Sequence, residues 1–196
     1  GSGQILLNMK SCGWEVKGVE VSNKASEVGN KHGLNIFSGT LIDAKYDDNE
    51  FDYIRSNHSF EHLINPIETI NELYRICKYS GKILIGVPNT NSLAFKLFNK
   101  FWYYLGVPFH PYNYNVKNLS FLLESNGFEV LKVSYRSDYR GLLGSLQIWH
   151  NNGKSKKSNE GWFINNFFLR NVFQQIARIT NLFRMGDCIE IVALKK

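Results

Sequence analysis

The sequence predicts an α/β protein: a Rossmann-like, mainly parallel sheet with helices on both faces. At the start of the chain, Gly1 and Gly3 precede a helical pattern over residues 4–11, and a strand with alternating valines follows and ends near Glu20. Farther along, apolar strands alternate with amphipathic helices up to residue 136. Helices of this length between strands form right-handed crossovers, and such crossovers join parallel strands.

Each element has a local signal. Ser22 suits a helix N-cap, Pro66 suits the first turn of a helix, and Gly33 and Gly81 suit helix ends. Alternation and helical periodicity then place the remaining elements. We predict strands at 15–21, 34–37, 51–54, 82–87, 128–136 and 188–194, and helices at 4–11, 22–31, 66–80, 92–105, 116–126 and 164–183.

Length and composition indicate one globular domain with an inserted helical segment, because 196 residues that are 43% apolar can bury a sizeable core. The predicted core covers 1–138 and includes an aromatic substrate segment at 92–115. A helical insertion, or lid, occupies 139–187, and the last core strand occupies 188–196. The three widely spaced cysteines indicate reduced thiols and a cytoplasmic location.

The net charge of +6 leaves two interpretations open. It is either a solvated surface excess or an attraction to anionic lipid or an anionic substrate. Nucleic acid is not expected as a partner, because no basic stripe is interleaved with aromatic side chains.

Four stretches carry a resemblance to a known family: GSG with GVEVS, FDYIRSNHSFEHLINP, YRICKYSGKILIGVPNTNS and NLSFLLESNGFEVLKV. Their order and spacing resemble the class I S-adenosylmethionine-dependent methyltransferases, and within them the ubiquinone and sugar O-methyltransferases. The resemblance implies a seven-stranded sheet whose last strand is antiparallel, with S-adenosylmethionine across the carboxyl ends of the first strands. The family's first strand is missing, so the resemblance also implies truncation within the glycine loop.

The resemblance further implies which residues bind the cofactor. Glu20, at a strand end, suits the two ribose hydroxyls, although an exposed strand-end charge is the alternative. The family often has an acid near Thr40, so adenine recognition here is expected to fall to backbone or water. Ordinary loop structure remains the alternative for most of these positions. The expected cofactor-binding residues are Gly1, Gly3, Glu20, Val21, Thr40, Leu41 and Asn57.

The candidate catalytic residues are Glu61, His62 and His110, as proton acceptors. In a helix, His58, Glu61 and His62 would share one face at metal-binding spacing. The ubiquinone relatives have a carboxylate where this chain has His58, and magnesium prefers oxygen ligands. We therefore expect no metal, with Glu61 and His62 capping and orienting the helix beside the cofactor as the structural alternative.

The acceptor is expected to be a small molecule, a sugar or a lipid-like compound, methylated at oxygen. An apolar stripe in the insertion predicts either a lid packed against Phe101 and Trp102, which we favour, or a peripheral membrane contact. The stripe comprises Ile164, Phe168, Val172, Ile176, Ile179 and Phe183, with basic neighbours Lys154, Lys156, Lys157, Arg170, Arg178 and Arg184 near Trp162 and Phe163.

Two other classes of function remain open. A nicotinamide-dependent Rossmann oxidoreductase or epimerase would need a third glycine where this chain has Leu6, and no Tyr-x-x-x-Lys pair is present. A non-catalytic, membrane-associated domain that kept the fold is the second alternative, because the sequence shows no clear catalytic base.

Overall fold

A computed structural model describes residues 1–153 and 161–196. The chain forms two compact units, Gly1–Asp48 and Asn49–Lys196. Lys154, Lys156 and Lys157, which the sequence pattern placed beside the apolar stripe, lie outside the described residues.

The first unit contains two helices and a two-stranded parallel sheet. Helix α1 begins after Gly3, whose backbone is left-handed (φ 84°), and α2 begins after Ser22, whose side chain accepts the Ala25 N–H. Both starts agree with the sequence pattern. The elements of this unit are α1 (Gln4–Ser11), β1 (Gly18–Glu20), α2 (Asn23–Lys31) and β2 (Ile36–Ser38).

The second unit is built on a four-stranded mixed sheet in the order β3-β4-β6-β5. β3 and β4 are parallel, and β6 is antiparallel to both β4 and β5, which confirms the expected direction of the last strand. The strands are β3 (Phe51–Asn57), β4 (Cys77–Pro88), β5 (Phe128–Arg136) and β6 (Cys188–Lys195).

The described part of the second unit has six α-helices. Pro66 occupies the first turn of α3, and a reciprocal capping box between Asn115 and Asn118 starts α5. Short 3₁₀ turns lie at Phe60–His62 and Asn99–Phe101, and a π-helical turn lies at Arg140–Gly144. The helices are α3 (Pro66–Ile76), α4 (Leu93–Phe98), α5 (Val116–Glu124), α6 (Ser145–His150), α7 (Trp162–Asn165) and α8 (Phe167–Leu182).

The α/β class is confirmed, but the single, mainly parallel seven-stranded sheet is not. The described residues form two separate sheets, of two and four strands. The larger sheet is mixed, because β6 runs against both of its neighbours.

Two predicted helices are shorter than expected. The helix predicted to reach Gly81 ends at Ile76, because Cys77 pairs with Phe51 and the chain continues as β4. The aromatic helix predicted over 92–105 is α-helical only to Phe98, since Asn99 has a positive φ of 45° and a 3₁₀ turn follows.

The prediction that the apolar stripe forms one buried face is wrong. α8 packs inward through Phe173 and Ile176, which contact a buried cluster formed by Ala94, Trp102 and Leu142. Of the predicted stripe, Phe168, Val172, Ile179 and Phe183 are exposed, whereas Ile164 is buried in the separate short helix α7. Asn166 caps a new helix, α8, at that point. Ile164 therefore does not continue the helical periodicity of the α8 residues.

Helix length and composition also decide whether a helix could cross a membrane. Among the described residues, no helix combines the length and the apolar character needed to cross a bilayer.

Candidate active site

The predicted cofactor segment lies in the first unit, where the α1 start and the β1 end belong to one small α/β fold. A Cβ atom on Gly3 would lie 2.4 Å from Leu34 Cδ1, so the left-handed turn before α1 requires glycine there. The first amides of α1 donate no hydrogen bond to a capping side chain. This turn can therefore accept an anionic or polar ligand group at the helix N-terminus.

Glu20 lies at the carboxyl end of β1, with its side chain 16% exposed. Its carboxylate contacts the Gly1 amino group and accepts the Ser22 N–H at 2.9 Å. These hydrogen bonds, the Gly1 contact first, lower the pKa of Glu20 below its usual range. The carboxylate is therefore ionised at neutral pH and held in place at the strand end. Val21, the next residue, is 74% exposed.

The exit of β2 lies beside the exit of β1, because the Gly39 N–H donates to the Glu20 carbonyl at 3.0 Å. This contact brings Thr40 and Leu41 close to Glu20 in the same unit. Thr40 donates its hydroxyl to Asp43 at 2.6 Å, and its hydrogen bonds lower the pKa of Asp43.

Asp43 was missed in the sequence, where residues 43–50 read as a polar loop. The Thr-x-x-Asp spacing was the available signal, because it allows the reciprocal hydrogen bonds seen between Thr40 and Asp43. Asp43 supplies an acid near Thr40, where none was expected.

In the second unit, the parallel strands β3 and β4 end side by side, with Asn57 paired to Gly86. A Cβ atom on Gly86 would lie 2.3 Å from Asn57 Oδ1, so the missing side chain makes room for the asparagine amide. His58 follows with a left-handed backbone (φ 52°) and donates its N–H to the Gly86 carbonyl. Polar groups are thus concentrated at this strand end, and the cofactor contact expected of Asn57 stays a prediction.

Glu61, His62 and His110 converge in this unit although His110 is far away in sequence. Their ligand-type atoms all lie within 4.8 Å of one another, and the two imidazole rings are 4.6 Å apart. Gly106 permits the approach of His110, because a Cβ there would lie 2.2 Å from His110 Nδ1. The sequence named these three residues as candidate bases, and the structure brings all three together.

The hydrogen bonds of His62 and His110 set their chemistry. His62 Nδ1 lies 3.0 Å from the Phe109 carbonyl oxygen, which can only accept, so Nδ1 carries the hydrogen. In the neutral ring, His62 Nε2 then keeps its lone pair. Burial, the largest cause, lowers the pKa of His110 below its usual range, so this ring is neutral at neutral pH.

Glu61 is nearly inaccessible, at 2% exposure. Its Oε1 lies 3.3 Å from His58 Nδ1, and its buried Oε2 has no hydrogen-bond partner among the described residues. A buried carboxylate oxygen without a partner is costly unless a ligand or a positive charge faces it.

The same three residues could hold a divalent metal ion, since two imidazole nitrogens and a carboxylate are common ligands for transition metals. The geometry selects Glu61, His62 and His110 for this role, and not the set of His58, Glu61 and His62 that helical spacing suggested. The segment is a single 3₁₀ turn, Phe60–His62, so His58 lies outside any helix.

A cavity of about 300 Å³ opens beside His58 in the second unit. Glu190 lies between two of its arginines, 2.6 Å from Arg136 Nε and 3.7 Å from Arg55 Nη2. The cavity thus offers charged groups and hydrogen-bond donors to a polar small molecule. It is lined by Arg55, Asn57, His58, Gly86, Tyr104, Arg136, Ser137, Asp138, Arg140, Cys188, Ile189 and Glu190.

Comparison with known proteins shows the class. Residues 1–133 match the family described as a methyltransferase domain. The chain belongs to this family of methyltransferase domains. Its fold is that of S-adenosylmethionine-dependent methyltransferases, and S-adenosylmethionine is the cofactor of that class.

Two curated relatives share part of the sequence. An uncharacterized protein of Methanocaldococcus jannaschii is 30% identical over 83 residues, which are 42% of this chain and 40% of that protein. A demethylmenaquinone methyltransferase of Staphylococcus saprophyticus is 31% identical over 75 residues, which are 36% of this chain and 32% of that enzyme. The matches thus cover well under two thirds of either relative.

Three solved structures show the same fold. A methyltransferase of Thermotoga maritima matches with a TM-score of 0.66 at 19% identity, covering 100% of this chain and 78% of that one. One of Archaeoglobus fulgidus matches with a TM-score of 0.65 at 23% identity, covering 100% and 82%. A phosphoethanolamine N-methyltransferase of Haemonchus contortus, solved with S-adenosylhomocysteine, matches with a TM-score of 0.60 at 18% identity, covering 100% and 47%.

Proposed function

We propose that this domain transfers a methyl group from S-adenosylmethionine to an oxygen atom of a small-molecule, sugar or lipid-like acceptor. The observation that carries the proposal is the convergence of Glu61, His62 and His110, with His62 Nε2 as the proton acceptor. Oxygen is the proposed target because a hydroxyl must lose its proton on methylation, and a positioned base makes that loss easier.

The first unit fits the cofactor. Glu20 is ionised and held at a strand end, where it can accept hydrogen bonds from two ribose hydroxyls. Val21 offers an exposed apolar surface to the adenine ring, and Thr40 and Leu41 follow the neighbouring strand. We assign Asp43 as acceptor of the adenine amino group, in place of backbone or water. Gly1 and Gly3 complete the proposed set in this unit.

When bound, S-adenosylmethionine supplies a methyl group made electrophilic by its positive sulfur. His62 Nε2 would receive the hydroxyl proton of the acceptor as the acceptor oxygen takes up the methyl group and the methyl–sulfur bond breaks, with S-adenosylhomocysteine as the second product. Glu61, buried a few ångströms away, stabilises the positive charge that then forms on His62. His110 remains neutral and packs edge-on against His62, which fixes the ring orientation.

The cavity beside His58 is the proposed acceptor pocket, because it lies at the carboxyl ends of β3 and β4. His58, which lines it, lies 3.3 Å from Glu61, so the base cluster of Glu61, His62 and His110 adjoins the cavity and does not line it. The three cysteines are free, and we propose a cytoplasmic location because reduced thiols persist there.

The proposal is tested by a methyl-transfer assay on the full-length protein with radiolabelled S-adenosylmethionine. Quinols, sugars and lipids bearing a hydroxyl are each compared with the matching amine, with and without a metal chelator. We expect label on a hydroxyl acceptor and an unchanged rate with chelator, because the base acts without a metal.

Two results would count against the proposal. Label confined to the amines would contradict oxygen as the target. Activity abolished by the chelator and restored by magnesium or zinc would make Glu61, His62 and His110 metal ligands instead.

A further inference from the structure

The outer side of α7 and α8 exposes large apolar side chains. Trp162, Phe167, Phe168, Leu182 and Phe183 are between 69% and 82% exposed. Single exposed apolar residues are ordinary, but five within about twenty residues of one helical segment are not.

The inner side of α8 already holds the helix in place. Phe173 and Ile176 pack on the cluster around Trp102, while Ala177 and Thr180 are buried. The helix therefore does not need the outer side chains for its own packing.

Four of the outer apolar residues share one side of α8. Phe168, Val172, Ile179 and Phe183 are separated by four, seven and four residues, which places them on one side of a helix with 3.6 residues per turn. All four are at least 39% exposed. We call Trp162, Phe167, Phe168, Val172, Ile179, Leu182 and Phe183 the outer apolar face.

The charged residues between positions 161 and 186 have one sign. Arg170, Arg178 and Arg184 are exposed, and the sequence from 161 to 186 contains no aspartate or glutamate. Arg170 lies over the Tyr139 ring, 4.7 Å from its centroid, and Arg178 donates to Gln175. Both guanidinium groups are thus held near the helix surface.

This charge pattern distinguishes between the possible occupants. Two-fold packing of a second copy on the same face would bring arginines toward arginines. An anionic lipid surface instead offers apolar depth to the outer face and negative headgroups to Arg178, four residues before the exposed Leu182, and to Arg184, which follows the exposed Phe183. α8 has 16 residues and so spans about 24 Å, which suits a helix lying in the plane of the interface.

We propose that the outer apolar face of α7 and α8 docks the protein on an anionic phospholipid surface. The helix lies parallel to the membrane, with the phenylalanines and Leu182 entering the boundary between headgroups and acyl chains. This inference concerns where the domain is held and stands independently of the reaction proposed above. It also differs from the favoured sequence prediction, in which the stripe is buried as a lid.

Vesicle sedimentation of the full-length protein tests the proposal. Vesicles of phosphatidylcholine mixed with phosphatidylglycerol are compared with vesicles of phosphatidylcholine alone, at low and high salt. We expect binding to the mixed vesicles, about tenfold weaker binding to the neutral ones, and a loss of binding in high salt.

Matched variants distinguish binding through the outer apolar face from nonspecific hydrophobic binding. Phe168 and Phe121 are both 72% exposed, on α8 and α5 respectively. Phe168→Asp should weaken vesicle binding by about tenfold or more, whereas Phe121→Asp should leave it unchanged. Arg178→Glu should weaken binding to the mixed vesicles alone. Far-UV circular dichroism and thermal unfolding confirm that each variant is folded.

Three outcomes would overturn the proposal. Wild-type protein that stays in the supernatant with mixed vesicles at low salt is the first. Equal losses for Phe168→Asp and Phe121→Asp are the second. The third is an absence of vesicle binding together with concentration-dependent self-association in sedimentation velocity. If Phe168→Asp abolishes that self-association, the outer apolar face binds a second copy of the chain and not a membrane.

Discussion

At the scale of single residues, the fold holds two glutamates in opposite environments. Glu20 is partly exposed, receives backbone hydrogen bonds and has a lowered pKa. Glu61 is buried, with one carboxylate oxygen unpartnered among the described residues. The first environment suits an ionised group that binds a ligand. The second suits the role proposed for Glu61, which stabilises the positive charge that forms on His62 during the reaction.

The role of Glu20 predicts a loss of cofactor affinity on substitution. Glu20→Ala removes charge-assisted hydrogen bonds to the ribose and should weaken S-adenosylmethionine binding by about 1.5–3 kcal/mol in titration calorimetry. Glu15→Ala, an exposed acid in the same unit, serves as the control and should bind as the wild type does. Unchanged affinity in the Glu20 variant would remove Glu20 from the cofactor site.

The role of His62 predicts a loss of rate with little change in structure. In His62→Asn, the side-chain amide can still donate to the Phe109 carbonyl. Asparagine has no atom that corresponds to His62 Nε2, so the proposed proton acceptor is lost. The value of kcat should fall by about 100-fold or more, while cofactor affinity stays the same. His32→Asn, in the first unit, is the control. A kcat near that of the wild type would show that His62 is not the base.

The sequence could predict Glu20, because a strand-end acid after a glycine turn is a local pattern. It could name Glu61, His62 and His110 only as separate candidates. Their approach depends on the Phe109 carbonyl and on the room left by Gly106, which are long-range contacts without a local signal. Asp43 was missed because its contact with Thr40 forms within a segment that reads as an ordinary polar loop.

At the scale of elements, the segment that leads into β6 contains a buried acid. Asp187 is 3% exposed and accepts the Trp102 Nε1–H at 3.2 Å. Burial, the largest cause, raises its pKa from 3.8 to about 6, and Asp138 adds to the rise, while hydrogen bonds from Trp102, Ser137 and Ser92 oppose it.

The raised pKa of Asp187 predicts in which direction the free energy of unfolding changes with pH. Between pH 4 and 6 the unfolded chain has lost this proton and the folded chain retains it, so Asp187 lowers the free energy of unfolding as pH rises. Asp187→Asn removes this loss. The free energy of unfolding of the variant minus that of the wild type should therefore rise from pH 4 to pH 7, by up to about 3 kcal/mol.

Denaturant unfolding over a pH series measures this difference, with Asp52→Asn as the control. Hydrogen bonding to Lys78 lowers the pKa of Asp52, so its contribution to stability is lost as pH falls and has the opposite sign. A difference for Asp187→Asn that stays flat or falls with pH would contradict a protonated, buried Asp187.

Most element positions followed from the sequence, since capping residues and periodicity are local. Phe128–Arg136 and α1 were predicted to the residue, and α2 nearly so. The side of α8 that packs inward was not predictable, because both sides carry large apolar residues and only the position of the Trp102 cluster decides between them.

At the scale of the whole molecule, the α/β class and the antiparallel last strand were predictable, and the division of the strands was not. Whether the strands pair into one sheet depends on contacts between residues far apart in sequence, which periodicity does not report. The described residues form a two-stranded and a four-stranded sheet in two units. The domain bounds predicted at 138 and 187 stay a prediction.

The most direct test of the central claim is titration calorimetry of the full-length protein with S-adenosylmethionine and, separately, with NAD. Both ligands present a ribose to Glu20, but only a methyltransferase should bind the first selectively. We predict saturable binding of S-adenosylmethionine and no measurable heat with NAD. Saturable binding of NAD without binding of S-adenosylmethionine would contradict the assignment and favour a nicotinamide-dependent oxidoreductase.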